Sequence, residues 1–215
     1  MFQIFINIVR SKFLAVLLGP LGMGVWGLLT STTGFIQSLT NFGLSTSAVR
    51  DVSSAHASGK TKRLSIVITV FRRMVWITGL LGAIVTLILS PLLSKITFGN
   101  KDYTFSFALL SVTLLINQIS SGQSVLLRGT RRIKDLAKAS LIGSILGLFT
   151  TIPLYYFWDI KGIVPGMIVT AITSLFFTWY FARKVKIEPV KVSKLRTIAE
   201  SKGMMKLGFL ISLSS

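Results

Sequence analysis

Four long stretches of this chain carry almost no charge. Met74–Ile96, Tyr103–Leu127, Ala139–Phe157 and Gly162–Phe181 contain no Asp, Glu or Arg, and their only Lys, Lys95, lies one residue from an end. A helix that crosses a bilayer needs about 17–25 predominantly apolar residues, and each run has that length. The composition agrees: 14% of residues are charged and the mean hydropathy is +0.71, whereas a soluble domain carries about 25% charged residues. The expected fold is an all-α, polytopic membrane helical bundle.

Two further runs, Met1–Leu18 and Val25–Val49, bring the expected spanning helices to six. Leu64–Arg73 reads as an interfacial lead into the third of them, with Arg72 and Arg73 snorkelling to head groups. A seventh apolar run begins at Gly203 and stops at Ser215. As helix it reaches about 20 Å, short of the ~30 Å hydrocarbon core. Residues 1–182 are therefore expected to form one six-helix lobe, 183–202 a basic linker, and 203–215 the start of a second lobe. On that division the chain reads as a piece of a longer protein.

The 24 Lys and Arg are not spread evenly. Arg50–Arg73 holds six, Arg128–Lys138 five and Arg183–Lys206 eight, while the alternate gaps hold only Lys95, Lys101 and Lys161. Such alternation is the positive-inside pattern, and it places the N-terminus in the cytoplasm. It also explains the net charge of +18 without nucleic acid as a partner. With no cysteine, thiolate metal sites and disulfides are excluded.

Arg10 and Lys12 lie inside the first apolar run. Gln3, Asn7 and Arg10 share one helical face, whereas Lys12 sits about 200° around from Arg10. Arg10 is about 13 Å from Gly19, near mid-membrane, where an arginine costs on the order of 2.5–3.5 kcal/mol. It is expected to point into a bundle or wet cavity and meet an anion. In the second run, Thr30, Thr33, Gln37, Asn41 and Ser45 form a polar stripe, with Leu28, Phe35, Ile36, Leu39 and Phe42 opposite. That stripe suits a cavity or, equally, amides and hydroxyls bonding across helices. All six acids fall between the apolar runs, so no carboxylate stands at mid-depth to neutralise Arg10. His56, the only histidine, lies in a polar loop and reads as a solvated side chain. No Ser/His/Asp set, paired carboxylates, metal spacing or phosphate-binding glycine loop occurs, so neither an enzyme nor a bound cofactor is expected.

The stretches "RSKFLAVLLGPLGMGVWGLL", "NFGLSTSAVRD" and "LLRGTRRIKDLAKASLIGSILGLFTTIPLYYFWDIKGIVPGMIVT" together resemble the N-terminal half of a Wzx-type polysaccharide (O-antigen) flippase. That family belongs to the multidrug/oligosaccharidyl-lipid/polysaccharide exporter superfamily. The resemblance implies two six-helix lobes around a cationic cavity in the bacterial inner membrane. It further implies transport of undecaprenyl-diphosphate-linked glycan by alternating access, with a second lobe and other polysaccharide assembly proteins as partners beside the membrane lipid. Arg10 and Lys12 match the basic pair before Leu-Gly-Pro, and Arg50 matches the arginine closing the second helix. With Asn7, Gln37 and Asn41 these are the expected substrate-binding residues. Two other classes stay open: a cation-coupled multidrug exporter of the same superfamily, and a non-transporting polytopic subunit.

Overall fold

The protein, seen here as a computed structural model, is described over residues 2–41 and 43–185, and beyond them at 187, 188, 190, 192, 193, 197 and 200–204, with side chains from residue 4 onward. The described residues are helical, with no strand: α1 (Phe2–Asn41), α2 (Leu44–Ala57), α3 (Thr61–Phe98), α4 (Thr104–Gly129), α5 (Ile133–Trp158) and α6 (Ile163–Ala182). A short 3₁₀ turn, Asp159–Gly162, links the last two. Four continuous helical stretches are long and apolar enough to cross a membrane: Ile4–Asn41, Thr61–Phe98, Thr104–Gly129 and Ile133–Ala182. This is a helical membrane protein.

Two of those stretches are double. In α1, Gly19 leaves helical geometry at φ 64° and ψ −171°. That conformation is open to glycine, and the following Pro20 disfavours α geometry at the residue before it. Packing shows where the two limbs, 2–18 and 20–41, run. Asn7 and Arg10 face Ser140 and Ser144 near the start of α5, and Leu14 and Leu18 share a core cluster with Tyr155 near its end, so the first limb runs alongside α5. The second limb meets α3 in the reverse sense: Thr32 Oγ1 lies 3.2 Å from Thr97 Oγ1, and Thr40 packs against Gly82. Leu-Gly-Pro therefore reverses the chain. The other double stretch, 133–182, is α5 and α6 joined through the 3₁₀ turn.

Two sequence expectations are corrected. The segment expected over Val25–Val49 ends at Asn41, and a separate helix begins at Leu44 after Gly43, whose φ is 63°. Leu44, Ala48, Val52 and Ala55 form one apolar face of α2, buried against Val67, Ile68, Phe71, Leu126 and Leu127. Polarity on the other face gives α2 an amphipathic character unsuited to continuing the span. Phe42 lies outside the described residues.

Leu64–Arg73 is likewise no separate lead into a helix. It belongs to the unbroken, 38-residue α3, about 57 Å long. Its Ser65, Ile66, Val67, Ile68, Val70 and Phe71 are buried. Part of the covering comes from the chain beyond α6, where Val190 and Val192 pack on Ile66 and Val70. Ser65 Oγ accepts from the Glu188 amide at 3.1 Å, and Arg63 pairs with the Glu200 carboxylate. Arg73, expected to snorkel, donates to the Val192 carbonyl at 3.1 Å and Thr197 Oγ1 at 2.6 Å. The seventh apolar run, from residue 205 on, lies outside the described residues.

Candidate functional site

The limb 2–18, α5 and α6 enclose a cavity of about 150 Å³. Asn7 and Arg10 line it from α1, Ser140, Gly143 and Ser144 from α5, and Thr170 and Ser174 from α6. Arg10 is half-buried. Its Nε is fully buried and, among the described residues, has no hydrogen-bond partner, although a guanidinium N–H removed from water needs one. Among the described residues, four hydroxyls and one amide share the cavity with it, and no carboxylate does. Chemically, the arrangement is a guanidinium beside neutral donors, a setting that fits an oxyanion.

A second cavity, of about 140 Å³, lies between the limb 20–41, α4 and α6. Thr30, Thr33 and Gln37 line it with Thr113, Asn117 and Met167. Thr113 Oγ1 is also buried, with no partner among the described residues. Met167, Thr170 and Ser174 follow one another along a single face of α6, so that face borders both cavities. Ser120 Oγ of α4 ties into it, 3.2 Å from Ser174 Oγ and 3.1 Å from Thr178 Oγ1.

The expected binding residues therefore do not form one cluster. Asn7 and Arg10 share the first cavity and Gln37 lines the second. Asn41 belongs to a hydrogen-bond chain: its Nδ2 donates to Ser45 Oγ at 3.1 Å, and its Oδ1 accepts from Gln118 at 3.0 Å. Lys12 is exposed and borders neither cavity. Arg50 is exposed on α2, on a different element from either group.

A larger cavity, about 760 Å³, opens beside α2 and the start of α3. Asp51, Lys60, Arg63 and Glu200 line it. Burial pushes the Asp51 carboxyl above its usual range; Arg50 pulls it down, Glu200 adds to the rise, and Arg63 opposes. Two carboxylates make this cavity a poor host for an anion. Among the described residues no three His, Asp or Glu side chains group as metal ligands.

Sequence reasoning overlooked the walls that face Arg10 and Gln37. "NQISSGQS" (117–124) puts six polar residues among eight inside an apolar helix, a signal as strong as the stripe in α1. Ser140, Ser144, Thr170 and Ser174 gave none, because isolated hydroxyls in apolar helices commonly bond to their own backbone.

Residues 13–211 match the family model described as "Polysaccharide biosynthesis protein". No curated protein and no solved structure matches the chain.

Proposed function

Because the chain belongs to the polysaccharide biosynthesis protein family, we propose that it serves polysaccharide export as the N-terminal lobe of a lipid-linked oligosaccharide flippase. The cargo is an undecaprenyl-diphosphate-linked repeat unit, moved from the cytoplasmic to the periplasmic leaflet of the bacterial inner membrane. The reading is of a translocator and not an enzyme. Its site residues are Arg10 and Asn7, with Gln37 and Asn117 along the neighbouring cavity.

One observation carries it: among the described residues, a half-buried arginine with an unpartnered Nε faces a cavity lined by hydroxyls and an amide and by no carboxylate. A diphosphate must cross the low-dielectric region with its charge, and a guanidinium binds phosphate oxygens bidentately. Each lowers the other's desolvation cost. Sites for drug-sized molecules run to about 300–1,000 Å³, so a cavity of about 150 Å³ suits the phosphate end while the sugars stay outside it. A second lobe completes the path by alternating access.

The proposed topology has six crossings, counting both limbs of α1 and both α5 and α6, with the basic end of the bundle cytoplasmic. It is supported by the reversal at Gly19 and by the distribution of Lys and Arg. Single cysteines at Ser58, Ile133 and Val192 should resist an impermeant thiol reagent in whole cells, and those at Met23, Asn100 and Asp159 should react. Labelling at Ser58 overturns the orientation.

The functional test is complementation of a deletion of this gene at native expression. Wild type restores surface polysaccharide and clears the accumulated lipid-linked precursor. Arg10→Ala does neither, and Arg10→Lys restores it partly because the fork is lost. Full export by Arg10→Ala overturns the reading.

A further inference from the structure

The sequence "LLRGTRR" (126–132) ends α4 in an unusual way. The Arg132 amide donates to the Leu127 carbonyl at 2.8 Å, and the Arg131 amide to the Arg128 carbonyl at 3.0 Å. Those two bonds make a Schellman motif with Arg131 at its left-handed position, φ 59°. Where a helix ends in this way glycine usually holds that position, because an L side chain there crowds its own backbone. In this chain Gly43, Gly59 and Gly99 also have positive φ, and among the described residues only Arg131 and Asp159 do so with a side chain, Asp159 at a ψ of −134°, outside the left-handed helical region. Keeping an arginine where glycine is relaxed raises the question of what its exposed guanidinium holds.

Its surroundings are cationic. Arg128 and Lys134 flank it, both exposed, and the adjacent Asp135 is engaged by Arg132 at 3.6 Å. Arg183 and Lys184, at the end of α6, stand at the same level. Ser120 bonds Ser174 and Thr178, and both helices run toward this end, so Arg128 lies about 12 Å and Lys184 about 9 Å beyond that bond. Leu127, Phe181 and Ala182 share one core cluster there. Among the described residues, Arg128, Arg131, Lys134, Arg183 and Lys184 make no ion pair. The α6 cations lean on rings: Arg183 Cζ sits 4.5 Å from the Trp179 ring centroid, and Lys184 Nζ 4.8 Å from that of Phe181. Trp179 and Tyr180 are themselves exposed, as aromatic side chains are at a membrane interface.

The geometry points to a binding site for the phosphodiester headgroup of an anionic phospholipid, formed by the α4–α5 turn and the end of α6. The stacked cations are held at headgroup depth by their rings, and Arg131 is presented by the strained turn. Basic pockets between helices on the positively charged side of a membrane protein bind such headgroups, each Lys or Arg adding about fivefold to affinity. The site rests on membrane placement and is independent of the transport reading.

The test titrates the purified 215-residue protein in neutral detergent with short-chain phosphatidylglycerol, phosphatidylcholine or inorganic phosphate, and follows bound lipid by native mass spectrometry. Phosphatidylglycerol binds in preference to phosphatidylcholine. Arg131→Gly and Arg131→Asn, both at ease in the left-handed region, each weaken it about fivefold. Without lipid, Arg131→Gly melts no lower than wild type, which separates headgroup binding from a merely structural role. Lys101→Gln, at the opposite end, leaves affinity unchanged. The proposal is overturned if Arg131→Gly and Arg131→Asn bind phosphatidylglycerol like wild type. It is overturned equally if phosphatidylcholine binds as tightly, or if inorganic phosphate displaces the lipid at equal concentration.

Discussion

The Gln118 side-chain amide donates to Asn41 Oδ1 at 3.0 Å, joining the middle of α4 to the last residue of α1. The same nitrogen reaches Thr78 Oγ1 of α3 at 2.9 Å, and Asn41 passes the chain on to Ser45 in α2. Four helices are thus held at the point where the chain leaves α1. Replacing Gln118 with Leu should strand both acceptors and lower the unfolding midpoint in detergent. A double-mutant cycle with Asn41→Ala should give a coupling of about 0.6 kcal/mol, and up to about 1.7, the range for such bonds in membrane proteins. Strict additivity of the two changes would show that the amides face each other without holding the helices.

Close approach between α1 and α3 depends on a missing side chain. A Cβ on Gly82 would lie 2.9 Å from Thr40 Oγ1, nearer than the hydroxyl tolerates. Thr40 has little room to yield, since its hydroxyl bonds back to the Ile36 carbonyl at 2.9 Å. Gly82→Ala should destabilise by about 1–3 kcal/mol, the usual range for overpacking. Adding Thr40→Ala should recover much of it, read as a rise in midpoint over the single variant. No recovery would place the strain elsewhere.

Helix-forming apolar runs were legible from charge alone, because a residue facing lipid cannot be Asp, Glu or Arg without a large penalty. The reversal at Leu-Gly-Pro was legible for a local reason, the backbone limits of Gly19 and Pro20. The α1–α2 break was not. Val25–Val49 is apolar enough to read as one span, and only packing shows that Leu44, Ala48 and Val52 turn toward α3 and α4. Likewise Leu64–Arg73 reads as a lead separate from the third helix, because nothing in the sequence says that α2 and Val192 cover its apolar residues. Arg10 was found because a charge inside an apolar run stands out, while the hydroxyls facing it come from helices more than a hundred residues away. Helical spacing assigns a residue to a face but does not say which helix that face meets.

Asp51 gives a pH signature. Burial raises its carboxyl pKa in the folded protein above the unfolded value. The folded state therefore binds the proton more tightly, and the stability tied to this group is present below the unfolded pKa and lost as pH rises through the folded one. At neutral pH the ionised carboxylate is a cost that Asp51→Asn removes. The variant should melt higher than wild type at pH 7, with the difference shrinking or reversing toward pH 4. A gain that is the same at both values would assign it to packing and not to ionisation.

Arg10 should trade stability for function. Its Nε is buried without a hydrogen-bond partner, and such an unmet donor costs about 1–3 kcal/mol, more when charged. Met has similar length and no polar N–H, so Arg10→Met should raise the unfolding midpoint in detergent. The same substitution removes the guanidinium that faces Ser140, Ser144, Thr170 and Ser174, and should abolish surface polysaccharide at native expression. Sites that bind charge are commonly less stable than their apolar replacements, because their geometry is set by the ligand. A lower midpoint for Arg10→Met would show that Arg10 stabilises the fold, and its loss of export would then report misfolding and not a missing contact to the cargo.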